Sequence, residues 1–242
     1  MAAWSYIHTS RFAECWICAS LEVMNKNAVI LFGRYPREGF VKTRLAEAIG
    51  FKDATEFYRI CLMGIFDEAE KLGDDYGVYF YYSDIADAED VKHMVPSGFI
   101  TMPQIDDVLP ARIDKAFKEV FLRGYSRVAI FSTDVPELDL RLIESTLDAM
   151  DDCNVSIGPN PDGGYYCLGM NQYYPNILDV AYGDDVAGMY DQTVELAKLN
   201  RLIVGTIETV SDVDVIEDLA AYKSRNLAIW NKKYSEHLDV VI

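Results

Sequence analysis

The segment "GRYPREGFVKTRLA" at 33–46 places Arg34, Arg37, Lys42 and Arg44 in one loop of a chain that is acidic elsewhere. Four cations with a single carboxylate between them repel one another unless an anion settles there. The loop follows the apolar run 27–32. Gly33 permits a tight exit and Gly39 a positive φ. Thr43 is placed to cap the helix that carries Leu45 and Ala46. Backbone donors, a helix N-terminus and several cations suit a phosphate or diphosphate; a solvated loop bridged to acidic neighbours is the plainer alternative. The segment is neither G-x-x-x-x-G-K-[ST] nor G-x-G-x-x-G, so the common phosphate-loop motifs do not apply.

Three acidic stretches could complete such a site. In "FSTDVPEL", Asp134 stands where an apolar strand ends and Pro136 stiffens the turn, a place for a carboxylate that holds Mg²⁺ or Mn²⁺ against phosphate oxygens, or for a turn aspartate bonded to backbone N–H groups. In "GPNPDGGYYCLG", Asp162 precedes Gly163, Gly164 and Tyr165; paired glycines let a substrate approach the backbone, although the pattern also fits an Asp-Gly hairpin. "SDVDVIEDL" supplies Asp212, Asp214, Glu217 and Asp218, of which Ser211 or Asp212 could be an N-cap and one acid could face a metal. His8, His93 and His237 are the only histidines, which argues against a His-rich zinc centre or a histidine-based nucleophilic site.

Positioning these groups requires a layered fold. Apolar or aromatic strands are expected at 27–33, 76–83, 99–102, 126–132, 153–159, 163–170 and 201–206. Helices are expected within 55–72, 107–124, 137–150, 189–200 and 215–230, with a polar, acidic stretch at 84–90. Strands alternating with helices indicate an α/β chain, a three-layer α/β/α sandwich with a mostly parallel sheet, and in such sheets ligands bind beyond the carboxyl ends of the strands. No linker or repeat divides the chain, so residues 25–242 read as a single domain. Residues 1–24 read as an N-terminal appendage, with the natural start at Met1 or Met24 left open.

Composition narrows the partners. With 22 Lys and Arg against 39 Asp and Glu in 242 residues, the net charge is −17. Such a surface repels nucleic acid and anionic membranes, while a small anion in one focused basic loop remains compatible. No segment reads as transmembrane. The five cysteines, Cys15, Cys18, Cys61, Cys153 and Cys167, are odd in number and scattered; they read as reduced thiols and predict a cytoplasmic location.

Taken in order, "GRYPREGFVKTRLA", Gln104 with Arg112, "STDVP", "GPNPDGGYYCLG" and "DVDVIEDL" resemble the bacterial GT-A-type glycosyltransferase-like family known as radical-SAM/selenodomain-associated transferases, of the nucleotide-diphospho-sugar transferase superfamily. The likeness runs from Asn27 to about Tyr222. It departs at Pro110, where the family has Gly, and at "AYGDD" (181–185). The Lys42–Leu45 segment is also similar to the K-S-R-L of phospholactate guanylyltransferases. The resemblance implies a GT-A sheet binding a nucleotide diphosphate or nucleotide sugar, with Mg²⁺ or Mn²⁺ held by Asp134 and Asp214. It implies nucleotide and phosphate contacts from Gly33, Arg34, Lys42, Thr43, Arg44, Gln104 and Arg112, with Lys42 acting in catalysis. Asp162 would take the proton of a small-molecule or lipid acceptor, beside Gly163, Gly164 and Tyr165. Metal-dependent glycosyl transfer is the leading expectation; nucleotidyl transfer releasing pyrophosphate and a non-catalytic nucleotide-binding module are the alternatives. A homo-oligomer is compatible with all three.

Overall fold

Strand β1 (Asn27–Gly33) is apolar because both of its faces are covered. Ala28 and Ile30 point into one hydrophobic cluster and Val29 and Leu31 into another, all at 0 % exposure. Strand β4 (Arg127–Ser132) repeats the pattern, with Val128 and Ile130 on one face and Ala129 and Phe131 on the other. This two-sided burial is what a central parallel strand demands. In this computed structural model, which describes residues 27–83, 88–105, 107–180 and 188–238, β1 lies between β2 (Tyr76–Tyr82) and β4, parallel to both.

The sheet has seven strands among the described residues, in the order β3-β2-β1-β4-β6-β5-β7. β3 (Ile100–Pro103), β5 (Val155–Pro159) and β7 (Val204–Thr206) complete the parallel set, and β6 (Tyr165–Met170) runs antiparallel between β4 and β5. Helices α2 (Phe51–Ala69), α3 (Ala88–Met94) and α5 (Leu140–Asp148) cover one face through residues such as Leu62, Val91 and Ile143. Helices α4 (Leu109–Phe121) and α6 (Met189–Leu199) cover the other through Phe117 and Ala197. The expected α/β/α sandwich with a mostly parallel sheet is therefore present. No helix among the described residues is long and apolar enough to cross a membrane.

A third cluster fixes α1 (Thr43–Ile49). Leu45 and Ala46 pack against Phe57, Tyr222, Trp230 and Tyr234 from α2, α7 (Ile216–Arg225), α8 (Leu227–Lys233) and the turn after it. The four rings contact one another at centroid separations of 5.2–6.5 Å. Since α1 begins at the end of the basic loop, this aromatic anchor sets where that loop lands.

Several elements differ from the sequence expectation. A helix, α3, begins at Ala88, within the 84–90 stretch read as polar and acidic, whose residues 84–87 lie outside the described residues. The single terminal helix breaks at Asn226, whose side chain donates to Glu137 Oε1 (2.7 Å) and to the Tyr222 carbonyl (3.3 Å) instead of facing solvent. The strand expected from Gly163 begins at Tyr165, because 160–164 form the turn of a β5–β6 hairpin. Residues 1–24, with Cys15, Cys18 and His8, and the segment 181–185 lie outside the described residues.

Candidate functional site

The basic loop leaves β1 through a position that only glycine can fill. A Cβ on Gly33 would stand 2.0 Å from Thr133 Oγ1 and 2.9 Å from the Tyr58 hydroxyl. That hydroxyl, carried by α2, accepts the Arg34 N–H (2.9 Å) and lies 2.9 Å from Thr133 Oγ1. Burial pushes its pKa up to about 12, so it stays neutral. Gln104 commits both hydrogens of its amide to backbone, reaching the Gly33 carbonyl (3.0 Å) and the Tyr81 carbonyl (2.9 Å). The strand ends are thus fastened before the loop begins.

Within the loop, Gly39 takes φ +83°, as its glycine suggests, and Arg34 Nη1 donates to the Phe40 carbonyl at 3.2 Å. The chain re-enters regular structure at Lys42, which adopts the left-handed conformation (φ 47°, ψ 44°) in the N-cap position of α1. Thr43 is therefore not the cap, and no side chain caps this helix. A left-handed lysine costs about 1–2 kcal/mol. It turns the Lys42 ammonium inward, where the side chain is 4 % exposed.

There Lys42 Nζ bridges two carboxylates from distant segments, 3.1 Å from Asp134 Oδ2 and 2.8 Å from Asp214 Oδ1. Asp134 follows β4, and Ser132 Oγ donates to its other oxygen. Asp214 belongs to the segment that leads into α7, and Arg44 approaches its second oxygen at 3.7 Å. A third acid joins them: carboxylate oxygens of Asp134, Asp212 and Asp214 lie within 4.8 Å of one another. Asp212 and Asp214, two residues apart in the segment before α7, both bring a carboxylate oxygen to this cluster. Neither Ser211 nor Asp212 caps α7. Val215 holds the cap position, and the Asp218 carboxylate accepts the N–H groups of Asp214 and Val215 at 3.0 Å each.

The electrostatics follow from one ammonium among three carboxylates. Burial works against the charge on Lys42, but Asp134 and Asp214 outweigh it and raise its pKa. Burial likewise opposes ionisation of Asp134, yet Lys42 and the Ser132 hydrogen bond hold it below its ordinary value. Among the described residues no ion pair or hydrogen bond to a cation is seen at Asp212, and Lys42 acts on it only at longer range. Burial first, then repulsion from Asp134 and Asp214, push it up to about 7. The cluster carries more negative charge than its lysine balances, and its oxygen spacing suits ligands that must approach one ion at about 2.0–2.6 Å. The donor set, three hard carboxylates, fits Mg²⁺ or Mn²⁺.

Two connected cavities open on this cluster. The first, about 320 Å³, is lined by all seven residues expected to contact nucleotide: Gly33, Arg34, Lys42, Thr43, Arg44, Gln104 and Arg112, together with Asp134 and Asp214. The second, about 600 Å³, shares Arg34, Arg44, Asp134 and Asp214 and adds Asp162, Gly164, Tyr165 and Asp212. Gly163 lines neither. It is a turn residue at φ +93° whose carbonyl accepts the Tyr190 N–H at 3.0 Å. Asp162 Oδ1 accepts the Gly164 N–H at 2.9 Å, so the Asp-Gly hairpin and a carboxylate at the cavity wall coexist. Lys42, expected on the phosphate side opposite a metal, instead sits directly on the metal-facing carboxylates. Sequence reasoning gave no role to Tyr58 or Thr133, and it read Asp212 as an N-cap or as one of four acids of which one could face a metal; the D-x-D spacing was the available signal that it faces the site.

Residues 71–183 match the model of a family described as an uncharacterized protein conserved in bacteria (DUF2064). No curated protein matches the chain in sequence. Among solved structures, the chain is similar to a protein of Desulfovibrio desulfuricans G20, provisionally described as a nucleotide-diphospho-sugar transferase, at 26 % identity and a TM-score of 0.79, covering 87 % of this chain and 92 % of that one. It is similar in fold to a nucleotidyl transferase of Methanothermobacter (12 % identity, TM-score 0.58, 85 % and 100 % covered). A third similar structure is a Mycobacterium tuberculosis H37Rv protein in complex with manganese (14 % identity, TM-score 0.50, 81 % and 97 % covered). The fold is that of the nucleotide-diphospho-sugar transferases, as the five motifs implied.

Proposed function

We propose that this chain is a divalent-metal-dependent transferase that binds a nucleotide sugar and moves its glycosyl group to a hydroxyl acceptor. One observation carries the reading: three aspartates and a buried lysine, drawn from segments far apart in sequence, converge where a cation-lined cavity meets a second cavity. Asp134, Asp212 and Asp214 would hold Mg²⁺ or Mn²⁺. Bound there, the ion supplies Lewis-acid stabilisation of charge on the diphosphate.

The chain's own residues do the rest. Arg34, Arg44 and Lys42 donate charge-assisted hydrogen bonds to the phosphate oxygens, each worth about 1.5–3 kcal/mol. The bond from the anomeric carbon to the diphosphate oxygen breaks, and its electron pair stays on the diphosphate. The acceptor oxygen bonds to that carbon and loses its proton to Asp162, whose other oxygen is held by the Gly164 N–H. The name borne by the Desulfovibrio relative supports this reading.

Nucleotidyl transfer, in which the α-phosphate of a nucleoside triphosphate is attacked and pyrophosphate leaves, is the second reading. It is favoured by the likeness of fold to the Methanothermobacter nucleotidyl transferase and by the Lys42–Leu45 segment. Incubating the protein with nucleotide sugars and with nucleoside triphosphates, each with and without Mn²⁺, separates the two. Release of nucleoside diphosphate supports glycosyl transfer and release of pyrophosphate supports nucleotidyl transfer. A nucleotide-dependent thermal shift indifferent to Mn²⁺ and to Asp134→Ala refutes both and leaves a binding module.

A further inference from the structure

The second cavity differs in charge from the first. The first contains Arg34, Lys42, Arg44 and Arg112. Of these the second shares only Arg34 and Arg44, and the residues it adds contain no Lys, Arg or His. Its own titratable carboxylates are Asp162 and Asp212. The internal stretches outside the described residues, 84–87, 106 and 181–187, contain aspartates but no basic residue.

The charges can be matched in turn. Three clustered carboxylates are neutralised by the Lys42 ammonium and one divalent ion. The two negative charges of a nucleotide sugar's diphosphate are met by Arg34 and Arg44, the two cations that face both cavities. The remaining cation, Arg112, lines only the first cavity, so among the described residues no unspent positive charge faces the second cavity, and Asp162 remains. The hydrogen-bonding groups agree: the Asn160 Oδ1 atom is buried at this wall with no partner among the described residues, and it can only accept. Asp162 also accepts. Leu109, Ile113 and Met189 give the cavity an apolar side, while the Tyr165 hydroxyl, also buried with no partner among the described residues, can donate or accept.

Resting on the glycosyl-transfer reading, we infer that the second cavity receives an acceptor with a hydroxyl or ammonium donor and an apolar body, and that it rejects anionic acceptors such as phosphate esters and carboxylic acids. Asp162 is the residue that sets this preference. The cavity seats a neutral or cationic amphiphilic alcohol, with its donor groups toward Asn160 and Asp162 and its apolar face on Ile113 and Met189. An anionic acceptor would lose its hydration and gain only repulsion.

Three phenols of one skeleton and different charge test this: 4-hydroxybenzylamine, 4-hydroxybenzyl alcohol and 4-hydroxybenzoate. Mn²⁺ with UDP, GDP, CDP or ADP is first screened by thermal shift. Absence of any Mn²⁺-dependent nucleotide shift defeats the underlying reading, independently of the phenols. With the best nucleoside diphosphate and Mn²⁺ bound, each phenol is titrated by saturation-transfer NMR. The amine is expected to bind about threefold to fivefold more tightly than the alcohol, an effect typical of one solvent-exposed charge pair, and the benzoate more weakly than both. Asp162→Asn keeps an oxygen for the Gly164 N–H while removing the charge, and it should bring amine and alcohol to equal affinity. Benzoate binding as tightly as the alcohol, an amine preference that survives Asp162→Asn, or no binding by any of the three overturns the inference.

Discussion

Replacing Lys42 by Met keeps most of the aliphatic stem and removes the one ammonium that bridges Asp134 and Asp214. Removing one partner of a buried ion pair costs about 3–5 kcal/mol, whereas a surface pair is worth at most about 1 kcal/mol. Here the lysine is 4 % exposed but its two carboxylates are 30 % and 40 % exposed. The expected loss therefore lies between those limits, at about 2 kcal/mol. For a chain of this size that is a fall in Tm of about 4–8 °C. The three carboxylates left behind form a stronger site for a divalent cation, so without nucleotide Lys42→Met should bind Mn²⁺ about tenfold more tightly than the parent protein. Mn²⁺ at about a hundred times its Kd adds about 2.7 kcal/mol and should restore the lost stability. Nucleotide diphosphate binding should move the other way, weakening about ten- to a hundredfold as the phosphate loses its lysine. Thermal unfolding with Mn²⁺ titrated in, and electron paramagnetic resonance of free Mn²⁺, measure both effects. Equal Mn²⁺ responses in the two proteins would refute the view that lysine and metal share these carboxylates.

Two further perturbations probe the same cluster. The Asp212 carboxyl keeps its proton up to about pH 7 in the folded protein but releases it near pH 4 when unfolded. The folded state therefore binds more protons in that window, and stability of the metal-free protein should fall by about 2 kcal/mol as pH rises from 4 to 7. Denaturant titrations across that range should show the slope in the parent protein and its loss in Asp212→Asn; a flat parent profile would contradict the crowding of acids. Tyr58→Phe removes the hydroxyl that accepts the Arg34 N–H, and should cost about 1 kcal/mol of stability. If Tyr58 only positions the loop, KM for the nucleotide substrate should rise about fivefold while kcat stays within twofold; a collapse of kcat alone would assign it a different part.

How far the sequence discloses this arrangement depends on the range of the forces involved. The central strands β1 and β4 are legible because burial on both faces leaves no room for polar residues, and a local window records that. The basic loop is legible because four cations crowd within eleven residues, 34–44. Strand direction is set by connection length: only 160–164 join β5 to β6, whereas a parallel crossover needs a dozen or more residues. That count was available and makes β6 antiparallel, which decides for the Asp-Gly hairpin at 162–164. The acids at 212–218 are ambiguous for a different reason. One of them, Asp218, lies in the first turn of α7 and accepts the Asp214 and Val215 N–H groups, while Asp212 and Asp214 face the site, and the two roles look alike until the helix start is fixed at Ile216.

Lys42 shows why the cation arrangement needed three dimensions. Its partners lie 92 and 172 residues away in sequence, beyond the reach of any periodicity. What brings them together is strand order. β1 pairs with β4 on one side and β2 on the other, so the loop after β1 and the turn after β4 emerge side by side at the carboxyl edge of the sheet, where the order of strands reverses. The 212–214 segment then crosses this edge on its way to α7, and the aromatic cluster that seats α1 against α7 brings Lys42 under Asp214. The same packing that stabilises the C-terminal helices thus closes the cation site. A substitution in that cluster, far from any substrate, would act on the Lys42–Asp214 contact before it acted on the sheet.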